Sequence, residues 1–304
     1  MLSLLSLKVC FSLITFLTVF LGLLINFAEN HLPVFVSQLY RYGKFSYKGN
    51  ERNWTLQVPK SWFRHFYLFG STYATLVFAV IVCLYLNYVA APPSYLVYVL
   101  DVVDANRESN VSSAAVFVAS FLLMIQCWRR CYETIFISVF SPGKMDVGHY
   151  FLGLIHYFGA VTAIAVEAPG FSNLGNSNIS FRLNDLSLFQ YAAMTAFLWA
   201  WIVQYDCACI LANLRKNPKG EVVTVKHKIP QDRMFNLVSS PHLFCEIVMY
   251  SCLTVILWGN TTFPFILMWV LANQVETAFL THWWYKSHFP NYPKSRRALV
   301  PFLL

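Results

Sequence analysis

The chain has 304 residues, 57% of them hydrophobic and only 12% charged, and its mean hydropathy is +0.51. That charged share is about half what a globular domain carries, which excludes a water-soluble fold. The formal charge of +8 would suit a nucleic-acid partner, but the basic residues sit in short segments between apolar runs, a pattern that belongs to membrane topology.

A bilayer core of roughly 30 Å needs about 20 apolar residues per helix. Seven runs qualify: Val9–Phe27, His65–Ala90, Val111–Trp128, Tyr150–Val166, Leu188–Leu211, Leu243–Trp258 and Phe263–His282. The predicted fold is therefore an all-α polytopic membrane protein with seven transmembrane helices. The first run follows Lys8 and has no small-residue cleavage site behind it, so it reads as a retained helix, not a signal peptide. The connection from Ala28 to Arg64 is too long for a simple linker, and its aromatic content predicts a partly ordered cover. Residues 1–64 thus form one unit, a helix plus its connecting segment.

With seven spans, alternate connections share a side. One side collects 19 of the 22 Lys and Arg residues, whereas the other keeps Lys8, Arg107 and Arg182 beside Asp101, Asp104 and Glu108. The positive-inside rule then places the N-terminus in the lumen and the C-terminus in the cytosol. Sequons agree: Asn110-Val-Ser and Asn178-Ile-Ser fall on the lumenal side, Asn53-Trp-Thr on the cytosolic side, and Asn260-Thr-Thr too near the bilayer for modification. The expected location is the endoplasmic reticulum membrane. The eight cysteines lie in or beside apolar runs without zinc spacing, so they read as small buried hydrophobes and no metal is expected.

The polar stretch from Asn213 to Glu246 separates the fifth and sixth runs and carries Arg215, Lys216, Lys219, Lys226, Lys228 and Arg233. A basic loop held between membrane helices suits a phosphate-bearing cofactor. Polar residues inside spans are costly and hence functional candidates. At 100° per residue, Asn273, Gln274, Thr277, Thr281 and Tyr285 of the seventh span share about a third of the circumference, with Glu276 on the border. Such a stripe lines a cavity or forms a helix–helix hydrogen-bond seam. In the sixth span Ser239, His242 and Glu246 share a face. Glu246 there either accepts hydrogen bonds from a ribose or carboxamide or pairs with a loop cation. In the fifth, Gln204 and Arg215 lie on one face, Asp206 and Asn213 on the opposite one. Arg130 and Glu133, three residues apart, form a local ion pair or a functional group. His65, among Trp62, Phe66 and Tyr67, is a packed residue or a catalyst. No GxGxxG, Walker A, GxSxG or HExxH stretch is present.

Several segments resemble the steroid 5α-reductase family. The ending Tyr292-Pro-Lys-Ser-Arg-Arg-Ala-Leu-Val-Pro-Phe-Leu-Leu304, after His282-Trp-Trp-Tyr285, is similar to that family's C-terminus. Leu211-Ala-Asn-Leu-Arg-Lys216, His227-Lys-Ile-Pro230 and Val238-Ser-Ser-Pro-His-Leu-Phe-Cys-Glu246 resemble its cofactor loop. Leu56-Gln-Val-Pro-Lys-Ser-Trp-Phe-Arg-His-Phe-Tyr67 and Trp128-Arg-Arg-Cys-Tyr-Glu133 are similar to its polyprenol reductase branch. The likeness covers residues 54–304 in patches.

This resemblance implies a six-helix catalytic region over 65–304 with a cytosolic cofactor loop at 212–240, using NADPH. It also implies a long-chain polyprenoid substrate whose α-isoprene unit is saturated on the way to dolichol, the lipid carrier for N-glycosylation. Arg215, His227, Lys228, Glu246 and Tyr285 are expected to contact NADPH, together with Gln204, Asn213, Lys216, His242, Asn273, Thr281, His282 and Arg296. Substrate contacts are expected from Trp62, Phe66, Arg130 and Thr134. The catalytic set is His65, Glu133 and Tyr285. The sequence departs from the family at Ala208, where relatives carry a polar residue, at His242, where Asn is usual, and at His282, one position out of register. A monomer is expected.

Chemistry sharpens the substrate. Hydride adds to a carbon–carbon double bond when a neighbouring group takes up the developing charge, which a conjugated aldehyde does and an allylic alcohol does not. Polyprenal is therefore favoured over polyprenol, with His65 and Tyr285 as candidate donors to its oxygen and Glu133 orienting one of them. Three other readings remain: a 3-oxo-Δ4-steroid 5α-reductase, a membrane methyltransferase using S-adenosylmethionine, and a non-enzymatic polyprenoid carrier.

Overall fold

The structure, a computed structural model, describes residues 6–28, 31–33, 36, 56–104, 107–171 and 179–303. The sequons at Asn53 and Asn178, and most of the connection between 28 and 64, lie outside them. Eight α-helices are described: α1 Leu7–Ala28, α2 Phe63–Tyr85, α3 Ser94–Val103, α4 Ser113–Tyr132, α5 Val147–Ala165, α6 Leu188–Asn213, α7 Pro241–Ile256 and α8 Phe263–His288. Six of them (α1, α2, α4, α5, α6 and α8) are long and apolar enough to cross a membrane. The chain is a multi-pass membrane protein.

The sixth apolar run is realised as α7, whose 16 residues span about 24 Å at 1.5 Å per residue, short of the hydrocarbon thickness. Its start also corrects the proposed Ser239 face: the helix begins at Pro241, which fixes the first-turn backbone and needs no amide partner, so Ser239 precedes it. The second run likewise stops early. After Tyr85 the chain turns through Asn87, held at φ 59°, and Pro92-Pro93 leads into the short α3.

Local chemistry sets the other helix starts. Ser112 accepts from the Ala115 amide at 3.2 Å, and Asp146 from Gly148 at 2.7 Å. Ser187 and Gln190 form a reciprocal capping box. Asn260 is buried, donates to the Ala163 carbonyl at 2.9 Å, and accepts from the Thr262 and Phe263 amides at 2.9 and 2.7 Å. Its amide nitrogen is spent on Ala163 and its carbonyl on the start of α8, which gives a structural reason for that sequon to stay bare. A two-stranded antiparallel ribbon, β1 Gln57–Pro59 with β2 Lys144–Asp146, ties the approach to α2 to the approach to α5.

The most extensive packing is α6 on α7, α2 on α4, and α1 on α8. Helix α4 is the most buried, lined by Ala114, Ala115, Val118, Ala119 and Leu122, and continues into a π-helical turn at Glu133–Ile137. Such turns often mark functional sites. Between α2 and α5, glycines let rings interlock: a Cβ on Gly70 would meet the Tyr157 ring at 2.8 Å, and one on Gly153 the Phe66 ring at 2.8 Å. At the end away from the basic loop, α1 is pinned by Lys8, which donates to Thr261 Oγ1 at 2.7 Å and lies 3.9 Å from the buried Glu167. Glu167 in turn accepts from Thr261 and Thr262.

Candidate active site

Two polar neighbourhoods occupy the half of the bundle nearest the basic loop. The inner one is a cavity of about 260 Å³ between α2, α4, α5, α6, α7 and α8. Its polar lining includes Tyr67, Arg130, His156, Gln204, His242, Glu246 and Asn273; Phe63, Phe66, Leu152 and Trp269 supply apolar walls.

Charges in and behind this chamber are matched. Glu133, fully buried, pairs with Arg129 at 3.3 Å and with Arg130. Arg130 also donates to the Tyr67 hydroxyl at 3.0 Å and lies 5.0 Å from the centroid of its ring. Arg129 donates to the Gln126 side-chain carbonyl at 2.6 Å, to the Gln204 side-chain carbonyl and to the Trp201 main chain. The Gln204 amide then donates to Glu246 at 2.5 Å and to the His242 carbonyl at 2.9 Å, and Gln126 reaches Glu246 at 3.3 Å. Two arginines and two carboxylates are thus joined through two amides, which is how charge survives in a medium of low dielectric. On the far wall Trp269 donates to His156 Nδ1 at 3.2 Å, and His156 Nε2 shares a hydrogen bond with Tyr250 at 2.8 Å.

An apolar annex adjoins the chamber. A second cavity of about 360 Å³ is lined by Ile14, Leu17 and Leu21 of α1 and Leu280 of α8, and shares His149, Leu152, Trp269, Asn273 and Thr277 with the first. Leu17, which lines it, is 42% exposed, so the annex is not sealed along α1. Asn26 closes its near end with a 3.0 Å bond to Glu276.

The second neighbourhood is the rim. Here Tyr285 stacks on Tyr292 with centroids 5.6 Å apart and planes 7° apart, and Arg296 lies 5.3 Å from the Tyr292 ring centroid. Ser239 contacts His282 Nδ1 at 2.6 Å and the Tyr292 hydroxyl at 2.5 Å, while its main chain bridges to Arg297. His227 packs edge-on to Trp284 at 5.1 Å. Cations at the rim rest on neutral carbonyls: Arg296 on Pro230 at 3.0 Å, Lys216 on Ile137 at 3.4 Å, and Arg215 on Val139. Burial pulls the Arg215 guanidinium below its ordinary value, partly offset by Tyr285. Among the described residues, Arg296 Nε and Ser240 Oγ are buried with no hydrogen-bond partner. Orphaned donors and cations parked on weak acceptors fit a phosphate-bearing cofactor.

Comparison with known proteins identifies the relatives of the chain. The family described as 3-oxo-5-alpha-steroid 4-dehydrogenase matches residues 179–304. A polyprenal reductase of Drosophila melanogaster is 42% identical over 294 residues, covering 94% of this chain and 89% of that protein. The polyprenal reductase of Caenorhabditis elegans is 34% identical over 286 residues, covering 90% and 89%. That of Homo sapiens is 33% identical over 254 residues, covering 81% and 78%. The chain belongs to the steroid 5α-reductase family. Within that family it falls in the polyprenal reductase branch.

For this steroid 5α-reductase family member, the residues singled out from sequence divide between the two neighbourhoods. Phe66, Arg130, Gln204, His242, Glu246 and Asn273 line the chamber. His227, His282, Tyr285 and Arg296 build the rim, with Arg215 and Lys216 beside it. Asn213 ends α6 and Lys228 is exposed on the loop. Thr281 is buried on α8. Thr134 spends its hydroxyl on the Arg130 and Cys131 carbonyls, each at 3.0 Å. Trp62, His65 and Tyr150 form an aromatic group at the start of α2, where His65 Nδ1 and the Tyr150 hydroxyl are 3.2 Å apart. The three residues read as catalytic have different partners: His65 has Tyr150, Glu133 its two arginines, and Tyr285 the Tyr292 ring.

The alternatives left open for the carboxylates resolve differently. Arg130 and Glu133 do form the local ion pair, but Arg129 joins it and the Arg130 head also lines the cavity. Glu246 is held by two glutamine amides, not by a loop cation. Arg233 pairs instead with Asp206. Sequence reasoning passed over Tyr67, Gln126, Arg129, His156 and Tyr157. The usable signal for Tyr67 was its face: Phe63, Phe66, Tyr67 and Gly70 recur at helical spacing, whereas His65 lies about 200° from Tyr67 around the axis. No group of three or more His, Cys, Asp or Glu residues able to hold a metal is found among the described residues.

Proposed function

We propose that this protein is a polyprenal reductase of the endoplasmic reticulum membrane, reducing the α-isoprene double bond of polyprenal with NADPH during dolichol synthesis and so supporting protein N-glycosylation. The observation that carries this reading is the near full-length identity to the Drosophila melanogaster polyprenal reductase. Geometry supports it: a charged chamber continuous with an apolar annex, unsealed along α1, suits a molecule with one polar end and a long isoprenoid tail.

In this reading the topology has seven crossings, with α7 as the short sixth. The N-terminus is lumenal, and the rim and C-terminus are cytosolic. The cofactor phosphates bind at the rim to Arg215, Lys216, His227, Lys228 and Arg296, with Tyr285 and His282 beside them. Toward the chamber, Glu246, Gln204, His242, Asn273 and Thr281 would face the cofactor; Asn213, exposed on the face of α6 opposite Gln204, is turned away from it. NADPH, when bound, supplies the hydride. Arg130, Phe66, Trp62 and Thr134 belong to the substrate side, with His65, Glu133 and Tyr285 proposed in catalysis.

The chain's own contribution is position and field. The annex takes the first isoprene units and excludes water from the chamber, where each donor counts for more than in solution. The Arg129–Glu133–Arg130 cluster fixes the chamber wall. Arg130 presents positive charge toward the carbonyl end of the substrate, where negative charge develops during reduction.

The test is direct. Purified protein in detergent with NADPH is offered polyprenal, polyprenol and a 3-oxo-Δ4 steroid in parallel, and products are weighed by mass spectrometry. Polyprenal is expected to gain two hydrogens at its α unit, with little conversion of the other two. Turnover of the steroid alone, or of none of the three, overturns the assignment.

A further inference from the structure

We infer that Tyr67 is a catalytic residue, the hydroxyl that donates to the aldehyde oxygen of the substrate; the inference rests on the polyprenal reading above. Four observations converge on it. Tyr67 lines the same cavity as Arg130 and Glu246. Its oxygen accepts from Arg130 Nη2 at 3.0 Å. An arginine side chain only donates, so this bond occupies an acceptor site and leaves the phenolic hydrogen to be aimed elsewhere. Its ring is held edge-on by Tyr157 at 5.4 Å and over the Arg130 guanidinium.

Other donors in the chamber fit less well. Both ring nitrogens of His156 are engaged, by Trp269 and Tyr250. Thr277 donates to the Asn273 carbonyl at 2.7 Å. Side-chain amides of Asn273 and Gln204 are too weakly acidic to give up a proton. Tyr157 has the right chemistry, but among the described residues it is the Tyr67 oxygen, not that of Tyr157, that accepts from Arg130. The phenol of Tyr67 combines a hydrogen left free by the Arg130 contact with a guanidinium close enough to meet charge that develops on a carbonyl oxygen beside it.

The electron count closes with the hydride donor named as a reduced nicotinamide. Hydride forms a bond to the β carbon, the carbon–carbon π pair moves to join the α and carbonyl carbons, and the carbonyl π pair settles on oxygen. Tyr67 stabilises that enolate by its hydrogen bond or converts it to the enol by proton transfer, its own oxygen then held by Arg130. A proton from water, delivered to the α carbon as any enol hydrogen returns to the Tyr67 oxygen, completes the saturated aldehyde and restores the phenol.

Infrared spectroscopy tests the contact without cofactor. Farnesal labelled with ¹³C at the aldehyde carbon is bound to the detergent-purified full chain, and its carbonyl stretch is compared with that in hydrocarbon solvent. Wild type is expected to lower the frequency, and Tyr67→Phe to return it to the hydrocarbon value. Replacing Tyr67 by trifluorotyrosine, a stronger acid of nearly the same shape, is expected to lower it further. With NADPH and polyprenal, Tyr67→Phe is expected to lose about 10²–10³-fold in kcat, as for an oxyanion donor, with KM little changed. An unshifted carbonyl in wild type, insensitivity to trifluorotyrosine, or transfer of both effects to Tyr157→Phe overturns the assignment. Absence of any wild-type turnover sinks the reductase reading instead, and the cofactor-free infrared result still decides the contact.

Discussion

Chamber and rim are both rich in arginine, yet they hold it differently. In the chamber Arg129 and Arg130 face a carboxylate, and the glutamine amide that Arg129 contacts is itself bound to a second carboxylate. At the rim Arg215, Lys216 and Arg296 rest on main-chain carbonyls, which carry no net charge. A closed network is part of the fold, and taking it apart leaves a bare charge in a medium that tolerates none. An open one waits for an anion, and losing a member costs the ligand more than the protein. The difference separates residues that build the site from residues that clasp what binds there.

That contrast can be broken most forcefully at Glu133. Glu133→Ala strands two buried guanidinium groups and is expected to destabilise by about 3–5 kcal/mol. Thermal unfolding followed by tryptophan fluorescence measures it, and a midpoint equal to wild type would show that the chamber network is no part of the fold. Arg215→Ala should do the reverse. Its unfolding midpoint without ligand is expected to match wild type, whereas the stabilisation by NADPH, about 2.7 kcal/mol at a hundred times Kd, is largely lost. Retention of that stabilisation would remove Arg215 from the clasp.

Smaller effects sharpen the boundary. Ser239→Ala deletes the bonds to His282 and Tyr292 and is expected to cost about 1 kcal/mol, seen as faster protease cleavage beyond residue 288. Burial raises the Tyr292 phenol above its ordinary value of 10.0, partly offset by its bond to Ser239 and by Arg296. A raised acid holds its proton longer folded than unfolded, so this contribution is full below about pH 10 and fades as pH rises through the folded value. Tail protection against protease should follow the same course, and a loss centred near neutrality would argue against the Ser239–Tyr292 contact. The mildest change fixes which side the rim faces: Asn110→Gln is expected to leave stability within about 0.5 kcal/mol while abolishing a glycan shift on gels. A chain never glycosylated at Asn110 would reopen the orientation.

Much of this architecture was legible in the chain. Apolar runs of near bilayer length announce helices whatever their neighbours, and six of the seven predicted runs are long enough to cross. The exception, α7, shows the limit, because a run flanked by Pro241 and Gly259 can read as continuous while its helix is only 16 residues long. Rim residues were also readable, since basic residues collected in one loop have few other uses. Chamber residues were harder. Periodicity said which residues share a face of one helix but not which helices meet, so Gln126 and Gln204, 78 positions apart in sequence, gave no joint signal. His65 drew notice as a rare residue type, whereas Tyr67 was one aromatic among many until its helix face and its arginine were known.

Helix α1 is fastened near both tips, by Lys8 at one end and by Asn26 at the other, and the annex opens along its middle past Leu17. A substrate held this way need never be swallowed whole. On the proposed reading its far end stays among the membrane lipids while only the first few units enter the annex, and turnover is expected to change little with the number of units that trail behind.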